Sequence, residues 1–219
     1  MSCQCSILRS GASILTALWL LLGLSGLAKE EDLKLDSGPK AGEQAIPYHP
    51  LLSTDDAAGQ RWCMVCVCTH RSKGNAMIIV FTRVRGDLVN ELAVAVEGLT
   101  EKHKKLGGMI TFLTTAGKTA RDAEALTGEQ VVYLNEAERK QWKSLREFAK
   151  AQSIANSSLN LFTTDGPMGY SLSSEAAITI LVANSSAEVK VNVALRQNEL
   201  TSGRIKEVIQ DIERAFAED

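Results

Sequence analysis

The pattern of apolar and polar residues after position 75 alternates between strand-like and helix-like periods. The near-continuous apolar run Ala76–Val84 is typical of a central strand that is covered on both faces. Gly86 and Asp87 then predict a turn and a helix N-cap, and apolar residues follow at helical spacing: Leu88, Leu92, Val96 and Leu99. Gly107 and Gly108, which come after a basic stretch, are predicted to close this helix.

Two more strands and a second helix are predicted in the middle of the chain. The apolar runs Met109–Thr115 and Leu159–Thr164 predict the strands, and a shorter apolar run occupies Val131–Leu134. Asn135 and Glu138 have the spacing of a capping box, and the apolar residues after them fall on one helical face: Trp142, Leu145, Phe148 and Ala149.

The last part of the chain predicts a β-hairpin and a closing helix. Strands Ala177–Ala183 and Ala187–Leu195 flank a hairpin-turn sequence at 184–186. Thr201 or Ser202 caps the final helix, which carries an apolar stripe: Ile205, Val208, Ile209, Ile212 and Phe216. Right-handed crossovers would make the first three strands parallel and place helices on both faces of the sheet. The element order therefore predicts a single α/β domain over residues 60–219.

The first 28 residues have the pattern of a secretory signal peptide. Arg9 supplies the positive charge, Ile14–Leu24 is apolar, and small residues precede a cleavage point near Ala28. The alternative is an uncleaved membrane anchor, but the apolar run is shorter than the roughly 20 residues that span a bilayer. We therefore expect export to the periplasm or the exterior, with the mature chain starting near Lys29. Residues 29–59 predict an irregular leader, either a tether or an arm that wraps the domain.

Charge and hydropathy narrow the classes of partner. The net formal charge is −2, and no stripe of lysine and arginine is present. This balance argues against a nucleic-acid partner. No second apolar span follows the signal sequence, so we expect no membrane contact after cleavage. The sequence predicts no cofactor, and it leaves the partner open as an unknown protein or thiol substrate.

The densest chemistry lies in the segment Trp62–His70, directly before the first central strand. Its three thiols are Cys63, Cys66 and Cys68, and Cys63-x-x-Cys66 is a spacing found in redox disulfides and in many metal sites. Cys66 and Cys68 would make a poor disulfide in an extended chain, since alternate residues lie nearly 7 Å apart. Export places these thiols in a compartment where a disulfide persists.

Three interpretations of this segment stay open. Cys63 and Cys66 could form a disulfide that exchanges with other thiols, and they would then be the catalytic pair of a thiol–disulfide oxidoreductase. The same disulfide could instead staple the leader to a domain with a non-catalytic binding or structural role. In the third interpretation Cys63, Cys66, Cys68 and His70 bind a soft metal ion, copper or zinc.

The chain resembles the thioredoxin-like superfamily, especially its redoxin and peroxiredoxin branch and its exported bacterial members. The resemblance rests on the strand Ala76–Val84 with its helix, the strand Met109–Thr115, the hairpin Ala177–Leu195, the terminal helix Ile205–Phe216 and the C-x-x-C motif. It implies a three-layer sandwich with a mixed central sheet, ending in a β-hairpin and a helix. It also implies thiol–disulfide chemistry.

The sequence departs from the superfamily pattern at two places. A thioredoxin has its C-x-x-C after the first central strand, at a helix N-terminus that stabilises the leading thiolate. Here the corresponding stretch, 82–87, has no cysteine. The superfamily also places a cis-proline before the hairpin, whereas 173–177 has no proline. Because the cysteines lie about ten or more residues before the helix, we expect a stable disulfide with little turnover and a slowly reacting Cys68.

Overall fold

The computed structural model describes residues 34–54, 58–71, 76–115 and 135–217. The predicted signal peptide and the apolar run Val131–Leu134 lie outside the described residues. Ten elements follow one another along the described chain: β1 (Leu51–Leu52), α1 (Met64–Arg71), β2 (Ala76–Thr82), α2 (Asp87–Lys102), β3 (Leu106–Leu113), α3 (Glu136–Ala151), β4 (Ser157–Phe162), β5 (Ile178–Asn184), β6 (Val189–Leu195) and α4 (Ser202–Ala217).

The six strands form one mixed sheet in the order β1-β4-β3-β2-β5-β6. Strands β2, β3 and β4 are parallel neighbours, as the sequence predicted. β5 pairs antiparallel with β2, and β6 pairs antiparallel with β5, so the predicted hairpin does extend the sheet. β1 adds a short antiparallel strand beside β4. It comes from the segment that the sequence indicated as an irregular leader.

Side chains that alternate along the strands build a separate core on each face of the sheet. Ile78 and Val80 of β2 belong to the larger core, which includes buried residues of α2, α3 and α4. Met77, Ile79 and Phe81 of the same strand face a second core under α1 and the leader. The crossover helices α2 and α3 share one face because β2, β3 and β4 step across the sheet in one direction. α1, which the sequence did not predict, lies on the opposite face.

The leader is anchored on the α1 side of the sheet by Tyr48. This side chain is fully buried, and its hydroxyl lies 2.8 Å from Oγ1 of Thr111 and donates to the sulfur of Met109 at 3.3 Å. Burial holds the pKa of Tyr48 well above its ordinary value. Its ring also packs in an aromatic cluster of Tyr48, Phe81, Phe162 and Tyr170. The leader therefore behaves as a wrapping arm where the structure describes it.

The prediction that Gly107 and Gly108 close the first long helix is wrong. α2 ends at Lys102 with His103 as its C-cap, and both glycines lie in β3. A Cβ atom on Gly107 would lie 2.9 Å from the carbonyl oxygen of Cys68 and 3.0 Å from its Cβ atom. Glycine in this strand therefore marks a close backbone approach, which lets α1 lie directly on the sheet.

The anchoring of α2 depends on a buried carboxylate. Glu97 accepts hydrogen bonds of 2.8–2.9 Å from the backbone N–H groups of Ala155, Asn156 and Ser157, where β4 begins. Burial alone would raise the pKa of Glu97, but these hydrogen bonds outweigh it and the pKa is lowered. Glu97 thus fastens α2 to the start of β4 as a charged group.

The capping box predicted at α3 is confirmed. The side chain of Asn135 accepts from the N–H of Glu138 at 2.9 Å, and Glu138 accepts from the N–H of Asn135 at 3.0 Å.

Among the described residues, no helix is both long and apolar enough to cross a membrane.

The apolar stripe of α4 is confirmed in its centre. Ile205, Val208 and Ile212 are buried, whereas Ile209 and Phe216 are only partly buried. The predicted stripe therefore includes two residues, Ile209 and Phe216, that the fold buries only in part. The ring of Phe216 lies near the protein surface and stacks on His103 with a centroid distance of 6.4 Å.

Candidate thiol–disulfide site

The cysteines lie at the start of a helix of their own. Cys63 immediately precedes α1, and Cys66 occupies its first turn. The expectation of little turnover rests on the distance of these cysteines from α2, and the sequence predicts no helix at 64–71. The structure corrects that premise, since these cysteines do have a helix N-terminus beside them. The missed signal is the spacing of Met64, Val65 and Cys68, whose buried side chains mark one helical face.

The predicted pair Cys63–Cys66 forms a disulfide, with the two Cα atoms 5.3 Å apart. The N–H of Cys66 donates to Sγ of Cys63 at 3.2 Å. Cys63 is partly buried and packs against the core beneath α1, while Cys66 is exposed. The two sulfurs therefore have different surroundings even though they share one bond.

Contacts on both sides of the pair hold the first turn of α1 in place. The N–H of Met64 donates to the carbonyl of Tyr48 at 3.0 Å, and the N–H of Val67 donates to the carbonyl of Cys63 at 2.9 Å. Trp62, next to Cys63, keeps 38% of its surface exposed. A partner that reaches the disulfide would therefore meet an aromatic side chain beside it.

Arg61 lies behind this turn as a buried cation. Its guanidinium is 3.7 Å from the carboxylate of Glu138, and both side chains are almost fully buried. Burial lowers the pKa of Arg61, and the charge of Glu138 opposes that shift. The pair connects the segment before the disulfide to the N-terminus of α3.

Cys68 lies away from the exposed sulfur. Its side chain is fully buried against β3, and it takes no part in the disulfide. Side chains two residues apart on a helix point in directions that differ by about 200°. Cys66 and Cys68 therefore point to opposite sides of α1. The side chain of His70, the fourth member of the metal hypothesis, is outside the described residues. Among the residues that are described, no three His, Cys, Asp or Glu side chains converge as a metal-binding group.

The loop after β2, where the resemblance would place a redox cysteine, contains an arginine instead. The guanidinium of Arg83 donates to the carbonyls of Thr164, Leu172 (3.3 Å) and Ser173 (3.2 Å). Burial lowers the pKa of Arg83, and the charge of Asp165 opposes that shift. Arg83 therefore fastens the 164–173 loop to the end of the central strand. Sequence reasoning missed this role, because the carbonyls that an arginine meets depend on the tertiary structure.

No protein-family model and no curated protein matches this chain. Solved structures do match. The solution structure of a candidate protein disulfide isomerase from Bacteroides thetaiotaomicron has a TM-score of 0.50 at 13% identity, covering 82% of this chain and 92% of that one. An uncharacterized conserved protein from Geobacillus kaustophilus also gives a TM-score of 0.50, at 11% identity and 77% coverage of both chains.

Similarity at such identities shows the fold alone. The described chain has a thioredoxin-like α/β fold, with a mixed sheet flanked by helices and a C-terminal hairpin followed by a helix. The fold class predicted from the resemblance is confirmed. Within this fold, the cysteine pair lies at α1 and not at α2. Its reactivity therefore depends on the surroundings of α1 and not on the fold class.

Proposed function

We propose that the protein is an exported thiol–disulfide exchange protein in which Cys63 and Cys66 are the reactive pair. The observation that carries this proposal is a disulfide in the first turn of α1 with one exposed member, Cys66. A helix N-terminus and a backbone N–H directed at sulfur both favour a thiolate, which is the reactive species in exchange. The similarity to a candidate protein disulfide isomerase agrees with this chemistry.

The reaction is a two-electron exchange with a dithiol partner. One partner thiolate attacks the Cys63–Cys66 bond, forms a mixed disulfide and releases the other cysteine as a thiolate. The second partner thiol then attacks the mixed disulfide, which leaves the partner oxidised and the cysteine pair reduced. Two electrons and two protons pass from the partner to the pair, and the reverse sequence reduces a partner disulfide.

The staple interpretation is weaker on this geometry. Cys63 and Cys66 belong to the same helical turn, so their bond does not join the leader to a distant element. The leader is held by other contacts, including the Tyr48 hydroxyl and the pairing of Leu51–Leu52 with β4. A disulfide that crosses no gap and has an exposed sulfur suits exchange better than structural support.

The test is a redox titration of the protein in glutathione buffers, followed by turnover with a dithiol substrate. We expect the pair to equilibrate with glutathione and to show measurable turnover. Replacing either member, Cys63→Ser or Cys66→Ser, should abolish turnover. Cys68→Ala is the matched control and should leave turnover within about twofold, because the thiol of Cys68 is buried away from the pair. A pair that stays oxidised throughout the titration would contradict the proposal.

Export is part of the proposal and has its own measurement. We expect the mature protein to start near Lys29, because the signal-like features end at Ala28. N-terminal sequencing of the protein from its native host reads this directly. A membrane-bound form that retains Met1 would contradict export by cleavage.

A further inference from the structure

We infer that Cys66, not Cys63, is the sulfur that forms the mixed disulfide with the partner. This inference rests on the proposed exchange function. It reverses the order that the thioredoxin resemblance implies, in which the leading cysteine is the thiol that reacts with the partner. In this protein the leading cysteine becomes the internal thiol, and the second cysteine meets the partner.

Access to the two sulfurs favours Cys66. Cys63 packs against the apolar core beneath α1, which also contains Tyr48. Met64, Val65 and Cys68 mark the buried face of α1, and at 100° per residue Cys66 lies on the opposite side of the helix. Exchange requires the incoming thiolate to approach nearly in line with the bond that breaks, so it needs an open path to one sulfur. The structure gives that path to Cys66.

The surroundings of the leaving group favour the same order. Attack on Sγ of Cys66 expels Cys63, whose Sγ already accepts the N–H of Cys66 at 3.2 Å. A hydrogen bond to the leaving sulfur, at the positive end of a helix, stabilises the thiolate that forms. Attack on Cys63 would instead expel Cys66, whose amide is directed at the other sulfur. A more stable thiolate leaves faster. Access to the sulfur and the stability of the leaving thiolate therefore both favour attack at Sγ of Cys66.

The step balances as a single displacement. The partner thiolate donates its electron pair to Sγ of Cys66, a new S–S bond forms, and the Cys63–Cys66 bond breaks. The electron pair of the broken bond stays on Sγ of Cys63, which becomes a thiolate without gaining a proton. Completion follows when a second partner thiol attacks the partner sulfur of the mixed disulfide and expels Cys66 as a thiolate.

The direct test maps the mixed disulfide on the full chain. The oxidised protein is mixed with excess reduced glutathione, quenched with acid after short times, alkylated with N-ethylmaleimide and mapped by peptide mass spectrometry. Cleavage after Arg61 and Arg71 leaves Cys63, Cys66 and Cys68 in one peptide, so fragment-ion spectra assign each label to its cysteine. We expect glutathione on Cys66 with maleimide on Cys63 to exceed the opposite pattern about tenfold, since both access and leaving-group terms act together. Equal labelling, or an excess on Cys63, would overturn the inference.

A second measurement uses matched variants that keep one member of the pair and lack Cys68. Reduced Cys63→Ser/Cys68→Ala and Cys66→Ser/Cys68→Ala proteins are reacted with cystamine and with the bulkier oxidised glutathione, and mixed disulfide is quantified at the retained member of the pair. We expect the cysteine at 66 to react at similar rates with both probes and the cysteine at 63 to slow several-fold with the bulkier one. A size effect at 66 and none at 63 would overturn the inference.

The two proposals fail in different ways. If glutathione reduces the wild-type disulfide but labels Cys63, exchange stands and the assignment of Cys66 falls. If no thiol reduces the native disulfide, the exchange function itself fails, and the assignment falls with it.

Discussion

Helices α1 and α2 begin at two places where this fold could place a reactive thiol. The two helices differ in length, in their position relative to β2 and in what lies at their N-termini. α2 runs for 16 residues and follows β2, while α1 has eight residues and precedes it. The N-terminus of α2 has Gly86 as its cap, with no side-chain hydrogen bond to it, and Arg83 fastens the loop nearby. The N-terminus of α1 has the disulfide. This fold therefore has its cysteine pair at the N-terminus of α1, while the N-terminus of α2 has no cysteine.

The anchoring of the two helices differs as well. α2 buries apolar residues that include Leu92 and Val96, and Glu97 fastens it to the start of β4. α1 buries Met64, Val65 and Cys68 on the other face of the sheet, and the N–H of Met64 donates to the carbonyl of Tyr48. A helix of eight residues should be easier to displace than one of 16.

The largest expected effect comes from removing the close approach under α1. Gly107→Val would place side-chain atoms where the backbone of Cys68 now lies, so α1 would have to move off β3. We expect a loss of about 3 kcal/mol in the free energy of unfolding, at the upper end for overpacking. Denaturant melts measure this loss, and alkylation of Cys68 in the folded protein reports whether α1 has moved.

Gly98→Ala is the matched control for that change. Gly98 lies in α2 with open space around it, so a methyl group should stabilise the helix by about 0.5–1 kcal/mol. If Gly107→Val were as harmless as Gly98→Ala, α1 would not pack on β3 as described.

The second effect concerns the loop where the resemblance would place a cysteine. Arg83→Met keeps the length of the side chain but removes its hydrogen bonds to the carbonyls of Thr164, Leu172 and Ser173. We expect a loss of about 2–3 kcal/mol in denaturant melts, because carbonyls with reduced access to water lose charged donors. Exchange at the disulfide should stay within about twofold, since that site lies at a different helix.

Arg85→Met is the control for this variant. Arg85 is exposed and lies over the ring of Phe112 at 4.9 Å, so its loss should cost less than about 1 kcal/mol. A large drop in thiol exchange in the Arg83 variant would show that the N-termini of α1 and α2 are coupled.

The third effect is a pH dependence at the anchor of α2. The pKa of Glu97 is lowered in the folded protein, so its carboxylate stabilises the fold above the ordinary pKa of 4.5. That contribution is lost as the pH falls through the lower, folded-state pKa. We expect Glu97→Gln to cost about 2 kcal/mol at pH 7, where its amide nitrogen opposes a backbone N–H.

The difference between wild type and Glu97→Gln should shrink as the pH falls below 4.5, because protonated Glu97 resembles the amide. Denaturant melts of both proteins across this range measure the difference. A difference that stays constant with pH would show that the charge of Glu97 contributes nothing.

Much of the fold was predictable because the apolar pattern fixes it. β2, the capping box of Asn135 and Glu138, and the centre of the α4 stripe follow from periodicity and local capping. The position of Gly107 was misjudged because glycine ends helices and also permits close packing, and only the packing of α1 decides between the two.

The candidate site was predictable in its residues but not in its geometry. Cys63 and Cys66 followed from their spacing and from the expectation of export. Their exposure and hydrogen bonding depend on α1, whose two turns give only one short signal, the spacing of Met64, Val65 and Cys68. The role of Arg83 depends on carbonyls about 80–90 residues further along the chain, which no local pattern records.

The smallest expected effect distinguishes exchange from stapling at α1. The Cys63–Cys66 bond closes a loop with only two residues between the cysteines, so it restricts the unfolded chain little. We expect the double variant Cys63→Ser/Cys66→Ser to lose about 1.5–2 kcal/mol in denaturant melts, at the bottom of the usual range for a structural disulfide. Reduction of the wild-type protein should give the same loss, which separates the effect of the bond from that of the serines. A loss of about 4 kcal/mol or more on reduction, which is typical of much longer loops, would favour the staple. In that case α1 would fold only when the disulfide is present, and the exposed Cys66 would contribute to stability and not to exchange.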